Sequence, residues 1–531
     1  MTTLALACAA IVAYIAAFAP LDLGWLGAVV LVPWPALVRR HSGRRLFGIS
    51  YLIGAAIFTA GCFWLRKSHP LNLVLMVLPE SLFFACFALL LRRLHVVQRW
   101  PAILALPIAF TAVEFARGRW PLDGFPWLSL GSTQHAQAGV LQFASVAGVH
   151  GLTFLLALVA GALADALAVR SRAAVGRAAA AVVLLVAGEA FGRTQRGDAT
   201  ALPRGPQLLL LQGNIPQELK NHPPDLDAMI DAHVAVADAA DARRSGDLLV
   251  IPETMLPGLW RETGGPFPGE EAQLAKLRAA VSSRVHERLT GRFGKPLLAG
   301  AVTLREREWR PGTPFLNSAL LFDREGRQHA CYSKRLRVPG GEYVPWIDLF
   351  PERVAASIRQ QIVAMAGGVP NLLAGETDGV VDLAPVGLRG RVGLTICYEI
   401  AYPQLGRALA LDGAQFLLNL SNEGWFPDSA EFDQYTAMAV VRAVEVRRTL
   451  LRCANTGTSG FIDPWGRTTL LERDGRRDGI AGSVLVAPPI ATGLTPYARF
   501  GDWLPWAAVV LALVGCFARL PRRITVLHPA A

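Results

Sequence analysis

Residues 391–400 read RVGLTICYEI, an apolar, β-branched run that ends on a cysteine with a glutamate two residues later. A run of this length and composition is typical of a buried strand. Comparable apolar runs lie at 207–214, 247–254, 296–302, 317–323 and 414–422. Helix-like stretches at 225–244 and 431–454 alternate with them. The stretch at 346–388 shows no firm period and is predicted to form long loops or arms. Continuous apolar strands separated by helices predict an α/β layered domain with covered sheets.

The chain as a whole is more apolar than a typical globular protein. Of the 531 residues, 52% are hydrophobic and only 18% are charged, and the mean hydropathy is +0.35. This composition predicts a membrane domain at 1–191 with seven transmembrane helices, a soluble domain at 200–500, an eighth transmembrane helix at 503–518 and a short tail at 519–531. The predicted spans are 4–20, 23–38, 46–65, 71–91, 101–116, 139–168, 175–191 and 503–518.

Arginine and lysine indicate how these segments are oriented. The loops after the second, fourth and sixth spans, together with the tail, carry thirteen basic residues, and the alternate loops carry four. Basic loops stay on the cytoplasmic side of a membrane. Both termini are therefore predicted to be cytoplasmic, and the domain at 200–500 external. This topology accounts for the formal net charge of +11, so no nucleic-acid partner is expected.

The seven cysteines include no CxxC pair and no Cys/His spacing suited to zinc, so neither a metal nor another cofactor is expected. A single disulfide between Cys331 and Cys453 is left open by the sequence. Glu80, Glu114 and Glu189 lie in or near predicted spans, where a carboxylate is costly and often functional. A functional role and a satisfied structural role fit that placement equally well.

Three polar residues lie at or just beyond the ends of predicted strands, namely Glu253, Lys334 and Cys397. Loops at the carboxyl ends of strands converge in α/β folds. A thiol is mostly protonated at neutral pH, so Cys397 needs a base such as Glu253. Lys334 would favour the thiolate and stabilise an oxyanion. Taken one at a time, a cysteine in this position is more often part of the core, a glutamate a capping residue and a lysine a solvated charge. The three residues together predict an acyl-transfer site.

The blocks around these residues carry a family resemblance. PET at 252–254, YSKRLRVPGGEYVP at 332–345 and CYEIAYP at 397–403 resemble, in this order, the Glu–Lys–Cys blocks of the nitrilase superfamily. Four more blocks are similar to bacterial apolipoprotein N-acyltransferases: LLQGNIPQELK (210–220), LLNLSNEGWF (417–426), VRAVEVRRTLLRCANTGTSGFIDPWG (441–466) and GLTPYARFGDW (493–503). The resemblance implies a multi-pass α-helical membrane domain of about eight transmembrane helices and a nitrilase-like αββα sandwich. It also implies the bacterial inner membrane, with the sandwich on the periplasmic side.

The resemblance further implies the chemistry. Glu253 would be the general base, Lys334 the oxyanion-stabilising cation and Cys397 the nucleophile. In the implied ping-pong reaction, the thiol takes an acyl chain from a membrane phospholipid as a thioester. The N-terminal α-amine of a diacylglyceryl-cysteine apolipoprotein then accepts the chain, which completes lipoprotein maturation. A thioester divides one slow ester-to-amide transfer into two easier steps.

The chain also departs from the family pattern in three loops. Asn221 stands where the family usually shows a tryptophan. PGGE at 339–342 replaces PFGE, and NEGWFP at 422–427 replaces NDAWFG. These changes bear on the preference for acceptor or acyl donor more than on the chemistry. The supporting site residues that the resemblance implies are Glu342, Tyr398 and Glu399.

Two other functions are the alternatives to acyl transfer. A membrane-anchored amidase would hydrolyse a small amide with water, but one span would suffice to anchor it. A non-catalytic binding or transport protein would have no need for Glu253, Lys334 and Cys397 together. The eight predicted spans and the intact set of three residues therefore favour an N-acyltransferase acting on lipoproteins.

Overall fold

The N-terminal part of the chain consists of apolar helices, which satisfy their backbone hydrogen bonds internally. The computed structural model describes residues 2–217, 226–265, 272–305, 314–345, 347–366 and 372–517. Asn221 and the predicted tail at 519–531 lie outside these ranges. The N-terminal α-helices are Thr3–Ala16 (α1), Trp34–Arg40 (α2), Gly43–Gly61 (α3), Pro70–Arg92 (α4), Ala102–Arg117 (α5), Ala144–Val169 (α6) and Arg172–Thr194 (α7).

Among the described residues, three helical stretches are long and apolar enough to cross a membrane. They are Pro70–Val97, Val140–Val169 and Arg172–Ala201. Thr3–Ala16 and Trp503–Phe517 are shorter apolar helices. The membrane character of the chain therefore has a structural basis, while the number of eight crossings stays a prediction.

The predicted span at 23–38 differs from the structure. Its helical parts are a short turn, Gly24–Ala28, and the seven-residue helix α2, separated at 29–33. Pro33 lies at the break and forms the N-cap of α2. Proline has no backbone N–H to continue a preceding helix, so two short helical pieces replace one continuous span.

The three carboxylates in or near the predicted spans are all hydrogen-bonded. Glu80 lies 3.3 Å from Arg117, and both side chains are buried. Glu114 accepts the backbone N–H of Leu130 at 2.8 Å. Glu189 accepts two backbone N–H groups of the loop before α6, at 2.8 and 2.7 Å. These contacts satisfy the carboxylates and account for their presence by structure alone.

The C-terminal part is an αββα sandwich built from two six-stranded sheets. The strands are Leu208–Gln212 (β1), Leu248–Arg261 (β2), Leu297–Leu304 (β3), Leu316–Phe322 (β4), Gln328–Ser333 (β5), Val380–Asp382 (β6), Arg391–Ile396 (β7), Phe416–Ser421 (β8), Thr449–Ala454 (β9), Gly460–Ile462 (β10), Thr468–Leu470 (β11) and Gly482–Val486 (β12). The first sheet has the order β12-β1-β2-β3-β4-β5, and the second β11-β10-β9-β8-β7-β6. The β1–β2, β2–β3, β7–β8 and β8–β9 pairs are parallel.

Helices cover the outer face of each sheet. Those of the sandwich are Leu226–Ala239 (α8), Ala272–Val285 (α9), Gly291–Phe293 (α10), Glu352–Ala366 (α11), Pro403–Leu411 (α12) and Glu431–Val446 (α13). Pro496–Phe500 (α14) then leads into Trp503–Phe517 (α15). One apolar core fills the space between the sheets, and a second lies between the first sheet and α8. A third core joins α12 and α13 to the N-terminal helices, so α13 is packed between the second sheet and the apolar helical part.

Two sequence predictions about this domain were wrong. The predicted helix at 431–454 ends at Val446, Arg447 adopts a left-handed conformation with φ 51°, and β9 follows. An apolar segment buried on all sides has no periodicity that separates helix from strand, and β9 is buried throughout. The stretch at 346–388, predicted to be loops, contains helix α11 and strand β6.

Candidate active site

Cys397 lies in a strained turn directly after β7. Its backbone has φ 50°, in the left-handed region, and a short helical turn, Cys397–Ala401, follows. This conformation is costly for a residue with a Cβ and is common at functional sites. The Asn419 side chain donates to the Cys397 carbonyl oxygen at 3.2 Å. The strand therefore ends in a sharp turn at Cys397, the residue that the sequence predicts to be the nucleophile.

Glu253 lies in an irregular part of β2. The regular pairing of β2 with β3 shifts between Ile251 and Leu256, so the residues between them leave the ladder. Gly300 on β3 passes so close that a Cβ there would lie 2.4 Å from the Pro252 carbonyl oxygen. Glycine is therefore required at position 300, and the bulge that it permits re-aims the Glu253 side chain.

Two hydrogen bonds hold the carboxylate of Glu253, a residue that is only 6% exposed. The Asn317 side-chain amide donates to Oε1 at 2.6 Å. The backbone N–H of Asn422 donates to Oε2 at 2.7 Å. Hydrogen bonds to both oxygens hold the carboxylate in one orientation, as a general base requires.

Lys334 follows β5 and is 1% exposed. Its Nζ lies 2.6 Å from Glu342 Oε1 and 3.9 Å from Glu253 Oε1. Burial lowers the pKa of Lys334, but Glu342, Cys397 and Glu253 outweigh burial and raise it above its ordinary value. Lys334 is thus a permanent cation in a dry site, where one positive charge acts most strongly on a developing oxyanion.

The sequence left open whether the surroundings raise or lower the pKa of Cys397. Burial is the largest cause that raises the pKa of Cys397, and the Glu253 charge raises this pKa further. The Lys334 charge lowers the pKa, but by less than burial and Glu253 raise it. The thiol is therefore neutral at rest. A neutral thiol that acts as a nucleophile would lose its proton during attack rather than before it.

This raised pKa gives a testable pH dependence. At about pH 8, Cys397 is expected to react with iodoacetamide more slowly than a free thiol, because only the thiolate reacts. The rate should continue to rise above about pH 9. Peptide-resolved mass spectrometry across a pH series measures this rate, with N-acetylcysteine as the reference. A rate for Cys397 that reaches its plateau below about pH 8 would contradict the neutral resting thiol.

Glu342 and Glu399 hold the lysine loop in place. Glu342 Oε2 accepts the Val338 N–H at 2.8 Å while its Oε1 contacts Lys334. Glu399 Oε1 accepts the backbone N–H groups of residues 335 and 336 at 2.6 and 3.1 Å. Its Oε2 accepts the Ile396 N–H and the hydroxyl of a buried tyrosine, each at 2.8 Å. Glu399 therefore ties the lysine loop to the cysteine turn, while Glu342 orients the ammonium group.

Tyr398 faces the N-terminal helices. Its hydroxyl donates to the Gly124 carbonyl oxygen at 3.4 Å, and its ring stacks on Phe125 with centroids 6.3 Å apart. Cys397 itself packs against the apolar core that continues into those helices. The residue after Cys397 thus forms part of the junction between the sandwich and the apolar helical part.

Sequence reasoning missed three asparagines of this site, Asn317, Asn419 and Asn422. Each is buried and contacts Glu253 or Cys397. For Asn317 and Asn419 the available signal was an isolated amide in an otherwise apolar strand, since a buried amide persists only with partners. Cys331 and Cys453 are both free thiols. Among the described residues, no group of three or more His, Cys, Asp or Glu side chains could hold a metal ion.

The sandwich is that of a nitrilase-superfamily protein. The family model described as carbon-nitrogen hydrolase matches residues 210–481, which include part of β1 and all of β2 to β11. A second model, described as the apolipoprotein N-acyltransferase N-terminal domain, matches residues 10–162. The chain therefore combines a nitrilase-type domain with a helical domain that is characteristic of one group within this class.

Proteins from several bacteria resemble nearly the whole chain. An apolipoprotein N-acyltransferase of Pseudomonas syringae pv. tomato is 31% identical over 527 residues, which cover 96% of this chain and 95% of that protein. The enzyme of Azotobacter vinelandii is 32% identical, and the match covers 95% of this chain and 92% of that protein. That of Geobacter metallireducens is 29% identical and covers 88% and 83%. The chain belongs to the apolipoprotein N-acyltransferase family, as the sequence blocks predicted.

Proposed function

We propose that this enzyme transfers an acyl chain from a membrane phospholipid to the N-terminal α-amine of a diacylglyceryl-cysteine apolipoprotein, which completes lipoprotein maturation. The observation that carries the proposal is the buried contact of Lys334 with Glu253 and Glu342 beside Cys397. These groups provide a base, a cation and a nucleophile in one site. The apolar core shared with the N-terminal helices supports substrates that reside in a membrane.

In the first half-reaction, the Cys397 sulfur attacks the ester carbonyl of the phospholipid while Glu253 takes the thiol proton. Lys334 stabilises the oxyanion that forms on the carbonyl oxygen. The carbon–oxygen bond then breaks, and Glu253 returns the proton to the leaving oxygen of the lysophospholipid. A thioester on Cys397 results, and no cofactor takes part in the step.

In the second half-reaction, the α-amine of the lipoprotein cysteine attacks the thioester. Glu253 takes a proton from the amine nitrogen, and Lys334 again stabilises the oxyanion. The carbon–sulfur bond breaks, the thiolate leaves, and the proton on Glu253 restores the thiol. Glu253 thus serves as base and acid in each half-reaction and ends in its starting state.

The membrane arrangement is part of this proposal. Eight apolar segments would cross the bacterial inner membrane, with both termini in the cytoplasm and the domain at 200–500 in the periplasm. The distribution of arginine and lysine supports this orientation. Protease treatment of spheroplasts tests it, because an external sandwich is cleaved while the membrane is intact. A sandwich that is protected until the membrane is permeabilised would contradict it.

The proposed activity is tested with a diacylated lipopeptide and phospholipid vesicles. We expect mass spectrometry to show one additional acyl chain on the amino group of the lipopeptide, together with lysophospholipid. A lipopeptide whose amine is blocked by acetylation is the control and should gain no chain. Release of free fatty acid without modification of the lipopeptide would instead favour a hydrolase and overturn the proposal.

A further inference from the structure

Tyr435 lies on α13, the helix that packs against the turn beginning at Cys397. Tyr435 is 2% exposed, and the centroid of its ring lies 5.3 Å from that of Trp127. Tyr435 belongs to the apolar core against which Cys397 packs. It approaches from the layer that faces the N-terminal helices, whereas Glu253 and Lys334 belong to the first sheet and the loop after it.

The Tyr435 hydroxyl has no hydrogen-bond partner of ordinary geometry within the described part of the chain, although it is buried. Helix α13 contacts the turn that begins at Cys397, and the interaction of the Tyr435 hydroxyl with the Cys397 thiol lowers the pKa of that thiol. A buried hydroxyl that lacks a partner costs about 1–3 kcal/mol. The Tyr435 hydroxyl therefore destabilises the resting enzyme relative to phenylalanine at this position. A hydrogen-bond partner that forms during the reaction would explain why the hydroxyl is present.

The surroundings keep this phenol neutral. Burial raises the pKa of Tyr435, and the nearby Cys397, Glu431 and Glu423 raise it further. Burial also raises the pKa of Glu431, while Glu423 forms a buried ion pair with Arg452. A neutral phenol retains its proton and can donate a hydrogen bond throughout the working pH range.

We propose that Tyr435 is a further catalytic residue, whose hydroxyl donates a hydrogen bond to the Cys397 sulfur when that sulfur carries negative charge. This inference rests on the proposed thioester mechanism. The thiol proton goes to Glu253 in the first half-reaction, so the tyrosine keeps its own proton. In the second half-reaction, the same hydrogen bond stabilises the departing thiolate. Hydrogen bonds to an ionised partner are stronger than neutral ones, so this contact strengthens in the transition states of both steps.

The substitution Tyr435→Phe tests the proposal, because it removes the hydroxyl and keeps the ring. We expect formation of the acyl-enzyme and its transfer to lipopeptide each to slow by about ten- to a hundredfold. The KM for phospholipid should stay within about twofold, because the lost contact strengthens only in the transition state. The midpoint of Cys397 alkylation should move up by about one pH unit.

Tyr497→Phe is the matched control, since Tyr497 is also fully buried and its hydroxyl contacts Asp502 at 3.4 Å, away from the cysteine. It should leave the alkylation profile unchanged. Thermal unfolding of Tyr435→Phe should match or exceed that of the wild type. A ring-fluorinated tyrosine at position 435, which retains a more acidic hydroxyl, should shift the alkylation midpoint downward. An alkylation profile of Tyr435→Phe that overlays the wild type, with full turnover, overturns the role of Tyr435 while leaving wild-type transfer intact.

Discussion

Replacing Cys397 with alanine is expected to abolish acyl transfer while the protein still folds. The substitution removes the only atom on which the thioester forms, so the rate should fall by about ten-thousandfold or more. The left-handed backbone at this position is already occupied by a residue with a Cβ, so alanine introduces no new strain. Transfer to a diacylated lipopeptide and thermal unfolding measure the two expectations.

Cys331→Ala is the matched control for this substitution. Cys331 is a half-buried thiol on β5, and burial raises its pKa to about 11. It contacts the Ser333 hydroxyl rather than the site residues. This control should transfer acyl chains at the wild-type rate. Measurable transfer by Cys397→Ala above the uncatalysed rate would show that the nucleophile is another group.

Replacing Lys334 with methionine is expected to impair both stability and catalysis. Methionine leaves Glu253 and Glu342 buried without their shared cation, and breaking such a buried pair costs about 3–5 kcal/mol of the free energy of unfolding. Loss of the oxyanion-stabilising charge should slow the enzyme by about a hundred- to a thousandfold. Denaturant unfolding and initial rates, normalised to the folded fraction, separate the two effects.

The exposed Lys276 on α9 provides the control, because Lys276→Met removes one positive charge from the same domain without touching the site. Its stability and rate should equal those of the wild type. Lys334→Met with wild-type turnover per folded molecule would exclude Lys334 from catalysis. In that case the lysine would have only its structural role between the two carboxylates.

Much of the sandwich could be predicted because its central strands are buried on both faces. The predicted strand at 207–214 corresponds to Leu208–Gln212, and that at 414–422 to Phe416–Ser421. A run that is apolar at every position has few other uses in a domain of ordinary composition. Glu253, Lys334 and Cys397 could be proposed as site residues because each follows or interrupts such a run and lies in a block that resembles the family. The structure brings the three side chains together.

Features that depend on three-dimensional contacts could not be predicted. The hydrogen bond from Asn419 to the Cys397 carbonyl depends on the register of two parallel strands. The position of Tyr435 near Cys397 depends on how helix α13 packs against the turn that begins at Cys397. The direction of the Cys397 pKa shift depends on how far burial and two carboxylates, which raise the pKa, outweigh one cation, which lowers it. That balance requires the positions of these groups.

The most direct test of the proposed mechanism is the mass of the Cys397 peptide after the enzyme is incubated with phospholipid vesicles alone. The mechanism predicts an added acyl mass on Cys397 that hydroxylamine removes, with one lysophospholipid released per enzyme. Addition of diacylated lipopeptide should then discharge the adduct as the lipopeptide gains the same acyl chain. An unmodified Cys397 under these conditions, in an enzyme that still N-acylates the lipopeptide when both substrates are present, would contradict the thioester mechanism.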